Sequence, residues 1–112
     1  MTPATMRDIP KTAHKTPTIK VYGPGLCPNC KKATDLFDRA GIAYEKINIE
    51  TDEKAYKYVT ETLDYHEAPV IVVTFAAEDQ SRVVHWSKHR MDMLMALKRL
   101  FSGGIGQAGG QQ

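Results

Sequence analysis

Cys27 and Cys30 are the two cysteines of this 112-residue chain, and only Pro28 and Asn29 separate them. Two sulfurs this close cannot staple a long loop as the disulfides of secreted mini-domains do, so the pair points to chemistry rather than scaffolding. A thiolate near the start of a helix is stabilised by the unpaired amides of the first turn, and Pro28 suits the first helical position because it lacks an amide hydrogen. Lys31 and Lys32 add positive charge within a turn. Cys30, one turn further in, is expected to be less exposed and to have the higher pKa. Such asymmetry serves dithiol exchange, in which an accessible sulfur attacks a disulfide and its neighbour resolves the mixed disulfide. The same thiolates could ligate a metal, but a structural zinc takes four ligands, and His66, His85 and His89 lie at no recognisable ligand spacing. Two cysteines could also simply pack, yet Pro28 and the Gly23-Pro24-Gly25 turn set them on an exposed, rigid corner.

The elements that position this pair follow from periodicity. Thr18–Tyr22 alternates and ends in a glycine-proline turn, which predicts a strand. Ala33, Leu36, Phe37 and Ala40 mark one face of a following helix, with Gly41 at its C-terminal cap. A second strand is expected over Ala43–Ile49. Thr51 supplies a capping hydroxyl, and Asp52 and Glu53 an acidic first turn, for a helix burying Ala55, Val59 and Leu63. After a turn over Asp64–Glu67, the β-branched run Pro69–Phe75 reads as a central strand. Glu78–Ser81 makes a hairpin turn into Arg82–Trp86, and Ser87 caps a last helix with Met91, Leu94, Met95, Leu97 and Phe101 inward. The order βαβαββα demands one parallel and one antiparallel pairing, hence a four-stranded mixed sheet flanked by three helices.

Composition bounds the remainder. The hydrophobic fraction is 42%, and 15 basic residues face 13 acidic ones, which fits one small domain. All of the net +2 resides in residues 1–17 through Arg7, Lys11 and Lys15 against Asp8, while residues 18–102 balance. A nucleic-acid partner is therefore not expected, because it would require a basic face on the folded part. Residues 1–17 carry three prolines and no period and read as a flexible arm; residues 103–112 hold five glycines and read as a disordered tail. The longest apolar stretch, Ala68–Ala77, is half of the roughly 20 residues a membrane span needs, and the first residues lack the apolar core of a signal peptide, so a cytoplasmic, membrane-free monomer is the expectation.

From Thr18 to Ser102 the residues resemble the glutaredoxin group of thioredoxin-like proteins. Cys27-Pro28-Asn29-Cys30-Lys31-Lys32-Ala33 is similar to the glutaredoxin active-site segment, with Asn29 where tyrosine is usual. Ala68-Pro69-Val70 stands at the family's cis-proline loop, so the resemblance implies a cis Ala68–Pro69 bond facing Cys27. Trp86, Ser87 and Arg90 match the tryptophan-serine-glycine-phenylalanine-arginine-proline motif of NrdH-redoxins, while Lys88, His89 and Met91 replace its other members. By resemblance the chain is a thioredoxin-fold oxidoreductase without a resident cofactor. Cys27 is its nucleophile, Cys30 its resolving thiol, and Pro28, Asn29, Ala68 and Pro69 support the site. Thioredoxin reductase is the implied donor and ribonucleotide reductase the implied acceptor. The rival donor is glutathione, whose users have a lysine where this chain has Pro24 and a glycine-glycine-x-aspartate segment where it has Trp86–Arg90. A further rival is a metal carrier using the two thiolates, with the ion shared in a dimer.

Lys88, His89 and Arg90 fall in the expected first turn of the last helix, where the dipole disfavours cations, so a partner surface formed with Trp86, Ser87 and Arg90 competes with a merely solvated turn. His85 alternates out of phase with Val84 and reads as an edge or solvent residue. Tyr22 reads as groove lining or packing.

Overall fold

Apolar side chains alternate along two strands and bury both of their faces, which makes these strands the centre of the sheet. The computed structural model describes residues 3–76 and 81–105. Strand β1 (Thr18–Gly23) sends Ile19 and Val21 to one core and Tyr22 to the other, and β3 (Val70–Ala76) sends Ile71, Val73 and Phe75 one way and Val70 and Val72 the other. With β2 (Glu45–Asn48) and β4 (Ser81–Ser87), the sheet order is β2-β1-β3-β4. The β1/β2 pair is parallel and the β3/β4 pair antiparallel, as the expected βαβαββα order requires, and the β1/β3 pair is antiparallel too.

Helix α1 (Pro28–Ala40) crosses from β1 to β2, buries Cys30, Ala33 and Phe37, and ends at Gly41, whose φ of 72° gives a left-handed cap. It shares the larger core with α3 (Met91–Arg99), which contributes Met93, Leu94 and Leu97. On the opposite face, α2 (Glu53–Lys57) and a π-type turn, Tyr58–Thr62, bring Ala55 and Val59 to the smaller core. The mixed sheet with helices on both faces is the fold that the periodicity implied.

Several local expectations need correction. The described part of the arm, residues 3–17, does not float. Ala4 and Ile9 join the larger core, Ala4 N–H donates to His85 O at 2.8 Å, and Met6–Asp8 form a 3-10 turn. Ala13 bridges Ile105, with its N–H donating to Gly104 O at 2.6 Å, so residues 103–105 of the expected tail are held as well. Residues 106–112 and 78–80, which carry the rest of that tail and most of the expected hairpin turn, lie outside the described residues.

Asp52, not Thr51, caps α2, accepting from Ala55 N at 3.0 Å, while the Thr51 hydroxyl donates to Asn48 O. Ser87 caps nothing. It stays in β4 opposite Val70, and Lys88 then takes a φ of 72°, with its N–H donating to Pro69 O at 2.9 Å. Lys88, His89 and Arg90 thus form the link into α3 and not its first turn, which leaves Asp92 as the acidic residue at the helix start.

His85 is buried, 7% exposed, although strand alternation suggested an edge side chain. The arm and the Tyr65 segment cover this part of β4, and the Tyr65 hydroxyl lies 2.7 Å from His85 Nδ1. Burial holds the imidazole pKa below its ordinary value. The folded state therefore binds fewer protons than the unfolded one just below pH 6.5. Unfolding free energy, followed by urea titration, should fall as pH drops from about 6.5 towards the lowered folded pKa. His85→Gln should flatten that window; an unchanged slope would assign the titration to another group.

Candidate active site

The disulfide occupies the corner where β1 hands over to α1. Cys27 is the N-cap residue of α1 with an extended backbone, and Pro28 takes the first helical position. The Cys27 Sγ accepts a hydrogen bond from Cys30 N at 3.1 Å, using one of the amides that a helix start leaves unpaired. Cys27 is partly exposed, Cys30 is 2% exposed, and the two are joined as a disulfide. The expected asymmetry of access is thus present, with Pro28 and Asn29 exposed between the sulfurs.

Long-range contacts complete the corner. The Ala68–Pro69 bond is cis and Pro69 is buried. A Cβ on Gly23 would overlap Cys30 Sγ and would lie 3.5 Å from Ala68 Cβ and 3.7 Å from Cys27 Sγ. Both sulfurs and the proline loop therefore converge on a position that tolerates only hydrogen.

Lys46 on β2 donates to the carbonyls of Pro24 and Gly23 at 3.2 and 3.4 Å, and burial lowers its pKa. It lines a depression of about 180 Å³ beside Cys27 and Cys30. Glu50 Oε1 accepts from Gly25 N at 3.0 Å and anchors the same turn. Periodicity and spacing give Gly23 only as part of a turn, not as the residue packed on the sulfurs, and give Lys46 and Glu50 no role at the site. The one local sign was a glycine closing a strand just ahead of the cysteines.

The motif residues near α3 do not assemble into a surface. Trp86 is 0% exposed, packed in the larger core and cross-strand from Ile71. Arg90 donates to the Asp92 carboxylate at 2.7 and 3.1 Å and to Ala4 O at 3.0 Å, so its guanidinium ties the arm to α3. Ser87 is half-buried at the strand end. Among the described residues, no three His, Cys, Asp or Glu side chains gather as a metal site, and no helix is long and apolar enough to cross a membrane.

A family model described as Glutaredoxin matches residues 19–74, the segment that carries both cysteines and the cis-proline. The chain belongs to the glutaredoxin family. The Cys27–Cys30 disulfide lies inside the matched segment. Gene 56 protein of Mycobacterium phage L5 is 32% identical over 54 residues, which are 48% of this chain and 52% of that protein. The chain thus spans about half the length of that curated relative. In fold, this glutaredoxin is similar to NrdH-redoxin from Escherichia coli (TM-score 0.54, 24% identity, 70% of this chain and 91% of that one). It is also similar to the thioredoxin-like protein BC3987 (0.55, 20%, 71% and 99%) and to Plasmodium falciparum thioredoxin (0.53, 10%, 74% and 69%).

Proposed function

We propose that this glutaredoxin is a dithiol electron carrier in which Cys27 attacks and Cys30 resolves. The observation that carries the reading is the partly exposed Cys27 at the helix start, its Sγ accepting the Cys30 amide, next to a buried Cys30. In the reduced protein that amide and the helix dipole favour a Cys27 thiolate. The thiolate attacks one sulfur of a target disulfide. The target S–S bond breaks, its leaving sulfur takes a proton, and a mixed disulfide remains. The Cys30 thiolate, formed by loss of its proton, then attacks Cys27 Sγ and expels the second target thiolate. Two electrons pass to the target and the Cys27–Cys30 disulfide is left behind. Asn29 and Pro28 hold the motif turn, and Ala68 and Pro69 border the groove the target must enter.

Thioredoxin reductase is the proposed donor, with a ribonucleotide reductase disulfide as acceptor in line with the resemblance to NrdH-redoxins. The cleft beside the cis-proline loop supports this donor: among the described residues its titratable lining is Glu50, Glu67, His66 and three tyrosines, with no Lys or Arg, whereas glutathione brings carboxylates that need cationic or amide partners. NADPH consumption should therefore be faster with thioredoxin reductase than with glutathione plus glutathione reductase, using one model disulfide as acceptor. Turnover with glutathione alone would replace the proposed donor and leave Cys27 as the nucleophile.

A further inference from the structure

Helix α3 does not turn all of its apolar positions to the core. Met91 and Met95 are 47% and 40% exposed, against the inward placement that their spacing implies. With Lys98 they stand at i, i+4 and i+7, a single stripe along the helix. Helix α1 carries a matching stripe, Lys32, Leu36 and Arg39, at the same spacing and with Ala40 beside it. These four residues of α1 line, together with Met91 and Lys98, a groove of about 380 Å³ between the two helices. Apolar side chains therefore stand between cations at its two ends on α1.

Charge in this groove is one-sided. Among the described residues Lys32, Arg39 and Lys98 have no ion-pair partner, and the carboxylate in the lining, Asp35, is engaged by Lys31 at 3.2 Å. His89, also in the lining, keeps a buried Nδ1 without a hydrogen-bond partner among the described residues, a polar atom that the fold itself leaves unsatisfied. Basic and acidic residues balance over residues 18–102, so the excess is local and not part of the broad basic face that nucleic acid needs. A bare phosphate would use the cations and leave Leu36, Ala40 and Met91 in water. The complementary occupant carries both carboxylates and an apolar side chain.

We propose that the groove between α1 and α3 docks an acidic amphipathic helix of a partner protein, with carboxylates on Lys32 and Arg39 and an apolar residue between them on Leu36 and Met91. Lys32 and Arg39 are seven residues apart on α1, a rise of about 10 Å, and the same rise separates i from i+7 on a helix laid alongside. An apolar side chain at i+3 or i+4 then falls between the two carboxylates, the arrangement by which amphipathic helices fill grooves. The flexible thioethers of Met91 and Met95 can adapt to its shape. The groove begins two residues beyond Cys30 on α1 and shares no lining residue with the cleft beside the cis-proline loop. A partner anchored here leaves Cys27 open and raises the local concentration of its own reacting group. The docking involves no thiol step and stands apart from the dithiol reading.

Oxidised, isotope-labelled full-length protein, titrated at low salt with capped alanine-based helical peptides and followed by amide chemical shifts, supplies the test. The reference peptide carries Glu at i and i+7 and Leu at i+3 and i+4. Its shifts should centre on residues 32–40 and 91–98, and added salt should weaken it. Exchanging both Glu for Lys should weaken binding about tenfold, and exchanging both Leu for Ser about fivefold. Lys32→Glu, Lys98→Glu and Met91→Ser, all at exposed positions, should each weaken the reference peptide several-fold, and Arg39→Gln should do so with the least disturbance of the helix. Lys54→Glu on α2, the same charge change elsewhere, should leave binding as it is. The amide spectrum of each variant reports that its fold is intact. Equal binding of the Lys-bearing peptide, shifts centred elsewhere, or no saturable binding of the reference peptide overturns the proposal. Inorganic phosphate or a DNA duplex that binds these residues more tightly than the reference peptide overturns it as well.

Discussion

Cys27→Ser is expected to reduce disulfide turnover to the uncatalysed background, whereas Cys30→Ser should still attack and then stall as a mixed disulfide. The difference follows from where α1 begins. Cys27 is its cap residue, partly open to solvent, with its sulfur facing the Cys30 amide, while Cys30 is sealed beneath Gly23. A hydroxyl in place of Cys27 Sγ keeps the cap hydrogen bond and removes the nucleophile, because an alcohol is far from ionised near neutral pH. Removing Cys30 leaves the first step and deletes the second. Mass spectrometry of each variant after incubation with a peptide disulfide reads the outcome: a covalent adduct on Cys30→Ser and none on Cys27→Ser. Alkylation of the reduced protein near neutral pH supplies an independent check. Faster labelling of Cys30 than of Cys27 would reverse the roles assigned here.

Trp86→Ala should cost about 3–5 kcal/mol of folding stability, the usual price of emptying a buried aromatic site. Trp86 is fully buried among Ile71, Met93, Leu94 and Leu97, in the core that joins the sheet to α1 and α3. One offset works the other way: the indole N–H has no hydrogen-bond partner among the described residues, so the truncation also removes an unpaired buried donor. The loss is therefore expected near the lower end of that range. Trp86→Phe, which keeps an aromatic ring and drops the N–H, should lose less. Urea unfolding of the oxidised protein measures both. A variant with unchanged stability and weakened donor coupling would restore Trp86 to a partner surface.

What the sequence made legible was local. Pro28 after Cys27, the face that includes Ala33, Phe37 and Ala40, Gly41 at the helix end, the alternation in β1 and the β-branched run of β3 are each written within one or two turns of chain, and each stands where the sequence puts it. What it hid depends on partners distant in the chain. Ala4 and Ile9 look like isolated apolar residues in a proline-bearing arm, and their burial needs surfaces supplied by β4 and α3 more than seventy residues later. His85 is covered by Tyr65 and the arm, so period-two alternation alone misassigned it. Lys88 stays outside the last helix because Ser87 remains paired in the strand and the chain must then turn with a positive φ. At the site, the cysteines announced themselves through spacing, whereas Gly23, Lys46 and Glu50 act through packing and hydrogen bonds from other elements. The resemblance placed the cis-proline correctly. It also drew attention to Trp86 and Arg90, whose side chains are spent inside the molecule.

The arm's contacts with β4 bear on self-association. An edge strand normally offers a row of free amides and carbonyls to any other strand in solution. Here His85 O on β4 accepts the Ala4 amide, and the Arg82 guanidinium donates to Asp8 O, so residues 4–8 lie along an edge that would otherwise invite intermolecular pairing. The opposite edge needs no such cover, because β2 is only four residues long and carries Glu45 and Lys46. Brevity and charge guard one side of the sheet and a docked segment guards the other. Displacing that segment would expose β4 as a template for strand-to-strand aggregation, while the disulfide, at the far end of β1, would keep its own geometry.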